Sequence, residues 1–388
     1  MFDPRDPDFL TDPYPEFARL RATGEVHRHD GLGLVIAVSH RAASAVLRHR
    51  GLGRIWTDAL PAERFASFNL LHRHSLLESE PPEHTRLRRA ISSAFGRGHV
   101  ERLRPKVAAL ADAMTAELAG EIAGGRDADL LDHLAQPLPV AVIAELLGVP
   151  EADRPRLVPW SNAIVKMYEY GLAEPRRDAA ERAASEFAGY VRELARQRRV
   201  RPGPDLISDL VAADLREDEV VATGVLVLMA GHEATVNVIG NGVWALLRHP
   251  LQWRRLLDDP GLVETAVEEL IRYDSPLQLF ERTATTEVEI AGFGVGKGEK
   301  IAALLGAAAR DPAVFDEPDT FDVGRSPNPH LGFGAGIHYC VGAPLARIEV
   351  AAALRALLTR LPGLSLAGTP VRRPEFVIRG LKTLPVST

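Results

Sequence analysis

The chain has 388 residues, of which 46% are hydrophobic and 25% charged, with a net charge of -6 and a pI near 6.1. These values suit a folded globular protein and give no basic excess that would favour DNA, RNA or an acidic membrane surface. Its single cysteine, Cys340, excludes an intramolecular disulfide and a cysteine-only metal site.

Residues 1–8 are acidic and broken by prolines. They lack the basic start and apolar core of a signal peptide, so a cytoplasmic protein is expected. Residues 11–22 predict a short helix. Residues 34–38 predict a strand, after which Ser39 can cap a helix. Residues 51–75 lack clean periodicity and predict a loop folded back through Phe65, Phe68, Leu70 and Leu71. Helical patterns follow at 83–94, 100–123, 138–147, 154–170 and 174–199, until the run VRPGPD at 200–205 breaks them. The longest apolar run, 220–229, is too short to span a bilayer. It falls within a predicted helix from about 217 to 249 with acids in its first turn. At about 50 Å that helix must be a central strut. A shorter helix follows at 260–272. Glycines 292, 294, 296 and 298 then mark hairpins within 277–301. An irregular, proline-rich stretch at 311–336 leads to a last helix at 343–361 and strand-like pieces at 364–378. The expectation is one domain over 1–388, mainly α, with a small β-rich lobe built from portions near 25–60, 277–301 and 364–388.

The segment Phe333-Gly334-Ala335-Gly336-Ile337-His338-Tyr339-Cys340-Val341-Gly342 precedes the last helix. Its glycines leave room for backbone to pass close to a large flat ligand. A cysteine just before a helix meets the positive helix end and free amides, which favour its thiolate. Amide donors near the sulfur would tune its donation to iron, and Phe333 can keep water away. On these residues alone three readings stand: a thiolate iron ligand, an inert cysteine packed in a glycine-rich turn, and a nucleophile with His338 as base. The last lacks an evident oxyanion site. Elsewhere Glu269 and Arg272 share a helix face at a spacing of three, and His84 and Arg88 at a spacing of four. Such pairs also occur on ordinary solvated helices.

The cysteine segment resembles the haem-binding signature of the cytochrome P-450 family at every fixed position of that long motif. Other family landmarks occur in order along essentially the whole chain. Glu269-Leu270-Ile271-Arg272 resembles the E-x-x-R motif, which implies a buried charge-assisted pair behind the haem with Arg325 as third member. Residues 82–89, P-E-H-T-R-L-R-R, resemble the segment that crosses near the haem edge. The resemblance implies that Cys340 ligates the iron of haem b. It makes His84, Arg88, Arg282 and His338 propionate ligands and puts Phe333, Gly334 and Gly342 in the haem pocket. Met229-Ala230-Gly231-His232-Glu233-Ala234-Thr235 falls where the family carries A-G-x-E/D-T, implying close approach of haem and O2 at the small residues and proton delivery by Glu233. The chain departs from the family twice. The asparagine before R-D-P is Ala309 here, which removes one local hydrogen bond. The threonine after the acid is Ala234, with Thr235 one residue on, about 100° around the helix. Ala234 donates no hydrogen bond, so protons are expected to travel through water held by Glu233, Thr235 or a polar group of the substrate. Alternatively, Ala234 only makes room for a bulky substrate.

By the same resemblance the pocket holds Phe65, Phe68, Leu70, Leu71, Leu226, Met229, Ala230, Leu277, Leu279, Phe280, Phe376, Val377 and Ile378. Asn69, His72 and Gln278 are sparse polar anchors. Such a set suits a medium-to-large hydrophobic metabolite, a polyketide, terpenoid, steroid or macrocycle, although the same residues could simply fill a core. The expected activity is hydroxylation or epoxidation with O2, with electrons from a separate ferredoxin and an NAD(P)H-dependent ferredoxin reductase. Oxidative coupling or desaturation, peroxide-driven oxygenation and a non-enzymatic haem sensor stand as alternatives. The stretch 86–106 carries Arg86, Arg88, Arg89, Arg97, Arg102, Arg104 and Lys106 against one acid, Glu101. It reads as a charged helix surface or, by resemblance, as the border of the face where an acidic ferredoxin docks. A monomer without nucleic-acid or membrane partners is expected.

Overall fold

The structure, a computed structural model, describes residues 1–92, 94–126 and 128–388, and the backbone but not the side chain of Arg97. Its contacts divide the chain into two compact units. One comprises Gly53–Leu103 and Pro139–Glu233; the other comprises Met1–Leu52, Arg104–Leu138 and Ala234–Thr388.

The first of these is helical. Its elements include α1 (Ala66–Arg73), α2 (Glu83–Ser92), α3 (Leu157–Val165), α4 (Glu174–Val200) and the first half of α5 (Glu217–Arg248). Helix α1 lies where a loop is expected from the sequence. Phe68, Asn69, Leu71 and His72 give it one buried face. Its first amides are satisfied from far away: the Glu181 carboxylate on α4 accepts from the Ser67 and Phe68 N–H groups at 2.9 Å each. No local capping residue announces such a helix. The predicted helix at 154–170 also resolves differently, into 3-10 turns at Glu151–Arg156 and Lys166–Tyr168 around α3. Helix α5 begins as its acids predict. The Glu219 carboxylate accepts from the Arg216 N–H at 2.9 Å and from Arg86 of α2 at 2.6 and 3.0 Å. By length and composition α5 could cross a membrane, but 78% of its most apolar stretch is buried inside protein, as in a core helix.

The other unit holds the sheet. Strands β1 (Val26–His29), β2 (Leu34–Ala37), β3 (Leu52–Gly53), β4 (Leu279–Ala284) and β5 (Lys300–Leu304) lie in the order β1-β2-β5-β4-β3. Every residue of β2, Leu-Val-Ile-Ala, is buried. It runs parallel to β5 with Val35 opposite Ile301 and antiparallel to β1. A continuous apolar run, rather than alternation, is what a strand covered on both faces needs. Ser39 caps the helix His40–Arg48 through the Ala42 N–H at 3.0 Å. The core under the sheet includes Val35, Leu47, Ile301 and Ala303, and also Leu331, just before the cysteine segment, and Ala335 within it. Two helices complete the frame, α6 (Val263–Tyr273) and α7 (Ala343–Arg360). The glycine-spaced run forms a hairpin, Val288–Ile290 against Phe293–Val295, turning through Ala291 and Gly292 at positive φ.

Candidate functional site

Cys340 is exposed at the end of a loop that the sheet core holds at its other end. Leu331 and Ala335 are buried. Between them and α7 the backbone closes on itself: Gly334 N–H donates to the Leu331 carbonyl at 2.8 Å, and Cys340 N–H donates to the Phe333 carbonyl at 3.0 Å. Gly336, at φ +71, also serves this packing. A Cβ there would meet the Leu47 carbonyl oxygen at 2.7 Å. The thiol therefore stands on a rigid turn three residues ahead of α7, where the helix end favours the thiolate.

A second support went unread in the sequence. Arg347, on the first turns of α7, lies over the Phe333 ring at 4.4 Å. Its guanidinium grips the Glu268 carboxylate of α6 through two hydrogen bonds, one of 2.5 and one of 2.9 Å. His330 Nδ1 accepts from the Gly332 N–H, so its Nε2 carries the hydrogen and donates to Glu268 at 3.0 Å. Burial opposes ionisation of Glu268, but the bonds from Arg347 and His330 outweigh it and hold the carboxyl down at about 2. A carboxyl lowered on folding stabilises fully above about 4.5 and loses that contribution as the pH falls toward 2. Allowing for partial exposure, the amount is on the order of 2 to 3 kcal/mol. Glu268→Gln is thus expected to lower the melting temperature at neutral pH and to flatten its decline between pH 4.5 and 2. Parallel melting-temperature curves for variant and wild type would remove this role.

Behind the loop, Glu269, Arg272 and Arg325 meet as the sequence anticipates. Glu269 and Arg272 are both fully buried. Arg272 Nε and Nη2 donate to the two carboxylate oxygens at 2.7 and 2.8 Å. Arg325 Nε joins at 3.2 Å, with the Asn328 amide at 3.1 Å and the Asp322 N–H at 3.0 Å. Arg272 Nη1 also donates to the carbonyls of Ala309 and Pro318 at 2.8 and 2.7 Å. Position 309 thus contributes through its backbone, whatever side chain it bears.

In the helical unit, His84 is buried and Arg88 half-buried, one turn apart on α2. Along α5 the burial pattern opens on one face. Ala230 is exposed and Leu226 and Ala234 are half-exposed, at a spacing of four, amid buried neighbours. Gly231 has a packing reason, since a Cβ there would lie 2.3 Å from the Ile143 side chain. Glu233 is buried, with Oε1 3.6 Å from His232 Nε2. His232 is itself oriented by Nδ1, 2.7 Å from the Leu228 carbonyl. Thr235 is buried while Ala234 is half-exposed, so the two positions face differently, as the helical turn requires.

The donor set suits one group in particular. Among the described residues no cluster of three or more His, Cys, Asp or Glu could cage a bare metal ion. A single exposed thiol fits a metal whose other ligands come with a macrocycle. The buried cation Arg282 on β4 and the half-buried His338 beside Cys340 suit its carboxylates.

The sequence profile of the cytochrome P-450 family matches residues 33–362. This chain belongs to the cytochrome P-450 family. It is a monooxygenase, with haem iron as cofactor and O2 as co-substrate. It is 40% identical to the P-450 monooxygenase PikC of Streptomyces venezuelae over 98% of this chain and 92% of that one. It is 43% identical to the mycinamicin IV hydroxylase/epoxidase of Micromonospora griseorubida over 80% and 79%. The crystal structure of P450BioI in complex with hexadec-9Z-enoic acid ligated acyl carrier protein superposes with a TM-score of 0.94. That structure shares 34% identity and is matched over 98% of this chain and 99% of its own.

The fold of this P-450 sorts the remaining expected residues. Leu71, Leu226 and Met229 line one cavity of the helical unit together with His72. Phe68 is buried beside it, packed at 4.1 Å on the His72 ring. Phe65 is fully buried between the guanidinium groups of Arg64 and Arg177 and does not line that cavity. Leu70 is half-buried, and Asn69 is occupied with the Ala59 backbone. In the sheet-bearing unit, Leu279 is buried and Phe280 half-buried on β4. Val377 accepts from the Gln278 N–H at 3.0 Å, and Leu277 bridges Ile378. Phe376 packs in an aromatic cluster with Phe2 and Phe9. Of the basic stretch, Arg86 is committed to Glu219, Arg102 contacts His99, and the Arg97 side chain lies outside the described residues. The sequence reading missed Tyr168, which shares the cavity with His72.

Proposed function

We propose that this P-450 inserts one oxygen atom into a C–H or C=C bond of a medium-to-large hydrophobic metabolite of the polyketide or macrolide class. In this reading the two units act as one catalytic domain, in the cytoplasm. The observation that carries it is the exposed thiol of Cys340 on a turn anchored in the sheet core. Cys340 ligates the iron, and His84, Arg88, Arg282 and His338 hold the propionates. Bound haem iron supplies the activation of O2. The relative named for hydroxylating and epoxidising mycinamicin IV, and the apolar side chains of Leu71, Leu226 and Met229, support the substrate class. Electrons come from a separate ferredoxin and its NAD(P)H-dependent reductase, steered to the basic stretch by charge. The test is a panel of macrolactones, terpenoids and steroids, screened by haem optical shift and then by product mass under O2 and, separately, peroxide. A macrolactone that gains one oxygen atom under O2 supports the reading. Turnover confined to terpenoids or steroids overturns the substrate class, and binding without turnover points to a haem sensor.

Ala234 supplies no hydroxyl on the open face of α5, and Thr235, one residue on, is buried. In this reading protons reach the reacting oxygen through water held by Glu233, completed by a hydroxyl or carbonyl of the substrate. A substrate that retains this group should give nearly one product per NAD(P)H, and its deoxy analogue markedly less. Ala234→Thr should recover coupling mainly with the deoxy analogue. Equal, high coupling of both compounds in the wild type would instead leave a relay of protein and water.

A further inference from the structure

His72 lies on the buried face of α1. Its Nδ1 is 2.8 Å from the Phe68 carbonyl oxygen. That oxygen only accepts, so Nδ1 carries the hydrogen. Nε2 lies 2.8 Å from the Tyr168 hydroxyl. In a neutral ring this nitrogen is bare, so Tyr168 is the donor. Burial holds His72 below the ordinary histidine range, against the pull of its bond to the Phe68 backbone. Burial, helped by the Glu78 carboxylate, pushes the Tyr168 phenol above its ordinary range. The ring packs against Trp56 at 4.5 Å and Phe68 at 4.1 Å, which helps to fix the direction of both bonds. The one hydrogen of Tyr168 is spent on His72, and its oxygen remains as an acceptor. Ser75 has the opposite character. Its Oγ accepts from the Glu78 N–H at 3.3 Å, which leaves its own hydrogen to give.

Tyr168 and Ser75 line the same cavity, whose other walls include Leu71, Ile164, Leu226 and Met229. Its volume is about 10 Å³, room for one water-sized group. The geometry points to this cavity as the receptor for a single neutral hydroxyl group of the substrate, which donates to Tyr168 and accepts from Ser75. The inference rests on the apolar-substrate reading above and names the group that is recognised. A ketone or ether can only accept, and leaves the Tyr168 oxygen unmatched among apolar walls. An ammonium or carboxylate would enter without a counter-ion, because the neighbouring Arg54 and Glu78 are paired with each other.

The probes are cyclododecanol, cyclododecanone and cyclododecane, alike in bulk and differing in hydrogen-bonding capacity. Dissociation constants are read from the haem optical shift of the holoenzyme. Wild type is expected to bind the alcohol about tenfold more tightly than the ketone, the worth of one net hydrogen bond. Tyr168→Phe removes the acceptor and should erase that preference. Ser75→Ala should weaken alcohol and ketone together and leave the alkane unchanged, and it serves if Tyr168→Phe does not take up haem. Equal affinities for alcohol and ketone in the wild type overturn this inference and leave the apolar-substrate reading standing. So does an alcohol preference that survives Tyr168→Phe. No optical shift with any of the three overturns the apolar-substrate reading and the inference with it.

Discussion

Cys340→Ser is expected to yield a folded protein whose reduced carbon monoxide complex no longer has a thiolate-type spectrum and whose oxygenation product falls to background. Serine differs from cysteine by one atom, so the replacement alters little of the space around the turn. The turn beneath it is held by backbone bonds and by Leu331 and Ala335, none of which involves the sulfur. What changes is the donor. A thiolate donates strongly to iron, whereas an alcohol stays protonated at neutral pH and donates far less charge. The measurements are the absorption of the reduced carbon monoxide complex, the haem content and the melting temperature of variant and wild type. An unchanged thiolate-type spectrum in the variant would remove Cys340 as the iron ligand. A collapse of melting temperature without haem would instead indicate that the sulfur is needed for the fold.

Where a chemical rule acts within a few residues, the sequence was enough. The capped start after Ser39, the acidic first turn at Glu217, the break at 200–205 and the i,i+3 pair of Glu269 and Arg272 all follow from local rules, and all stand in the fold. The cysteine segment was legible because its ten residues form a specific pattern. Reading failed where the partner lies far along the chain. Helix α1 is capped by Glu181, 114 positions from Ser67. Tyr168 gains meaning only from His72, 96 positions away. Arg347 stood beside the cysteine motif with no sign that Glu268, the residue before the E-x-x-R motif, would hold it. Two glycines also have packing reasons that local rules do not give. Gly336 makes room for the Leu47 backbone and Gly231 for Ile143, neighbours that only the fold supplies.

The largest stability effect is expected at Glu269. Its carboxylate gathers Arg272, Arg325, the Asn328 amide and the Asp322 N–H where water does not reach. Glu269→Gln keeps the shape and removes the charge, leaving the guanidinium of Arg272 buried without its counter-ion. Breaking a buried pair in this way typically costs about 3–5 kcal/mol. Against the usual total of about 5–15 kcal/mol, that is enough to depopulate the folded state of a marginal protein. Arg272 also joins the carbonyls of Ala309, Pro318 and Thr320, so loosening it frees the irregular stretch that leads to the cysteine loop. The expected result is a melting temperature many degrees below wild type and a lower ratio of haem to protein. The control is Glu264→Gln, which breaks the exposed pair with Arg355 and should cost less than about 1 kcal/mol. Replacing Glu269 and Arg272 together by methionine removes both charges at once. The double variant should lose less than the sum of the single losses, because neither side chain is then left charged and alone. The loss does not vanish, since Arg325 and the three carbonyls still lack their partner. A shift for Glu269→Gln no larger than that for Glu264→Gln would show that the buried cluster contributes little to holding the loop, and a strictly additive double variant would show that the two charges act independently.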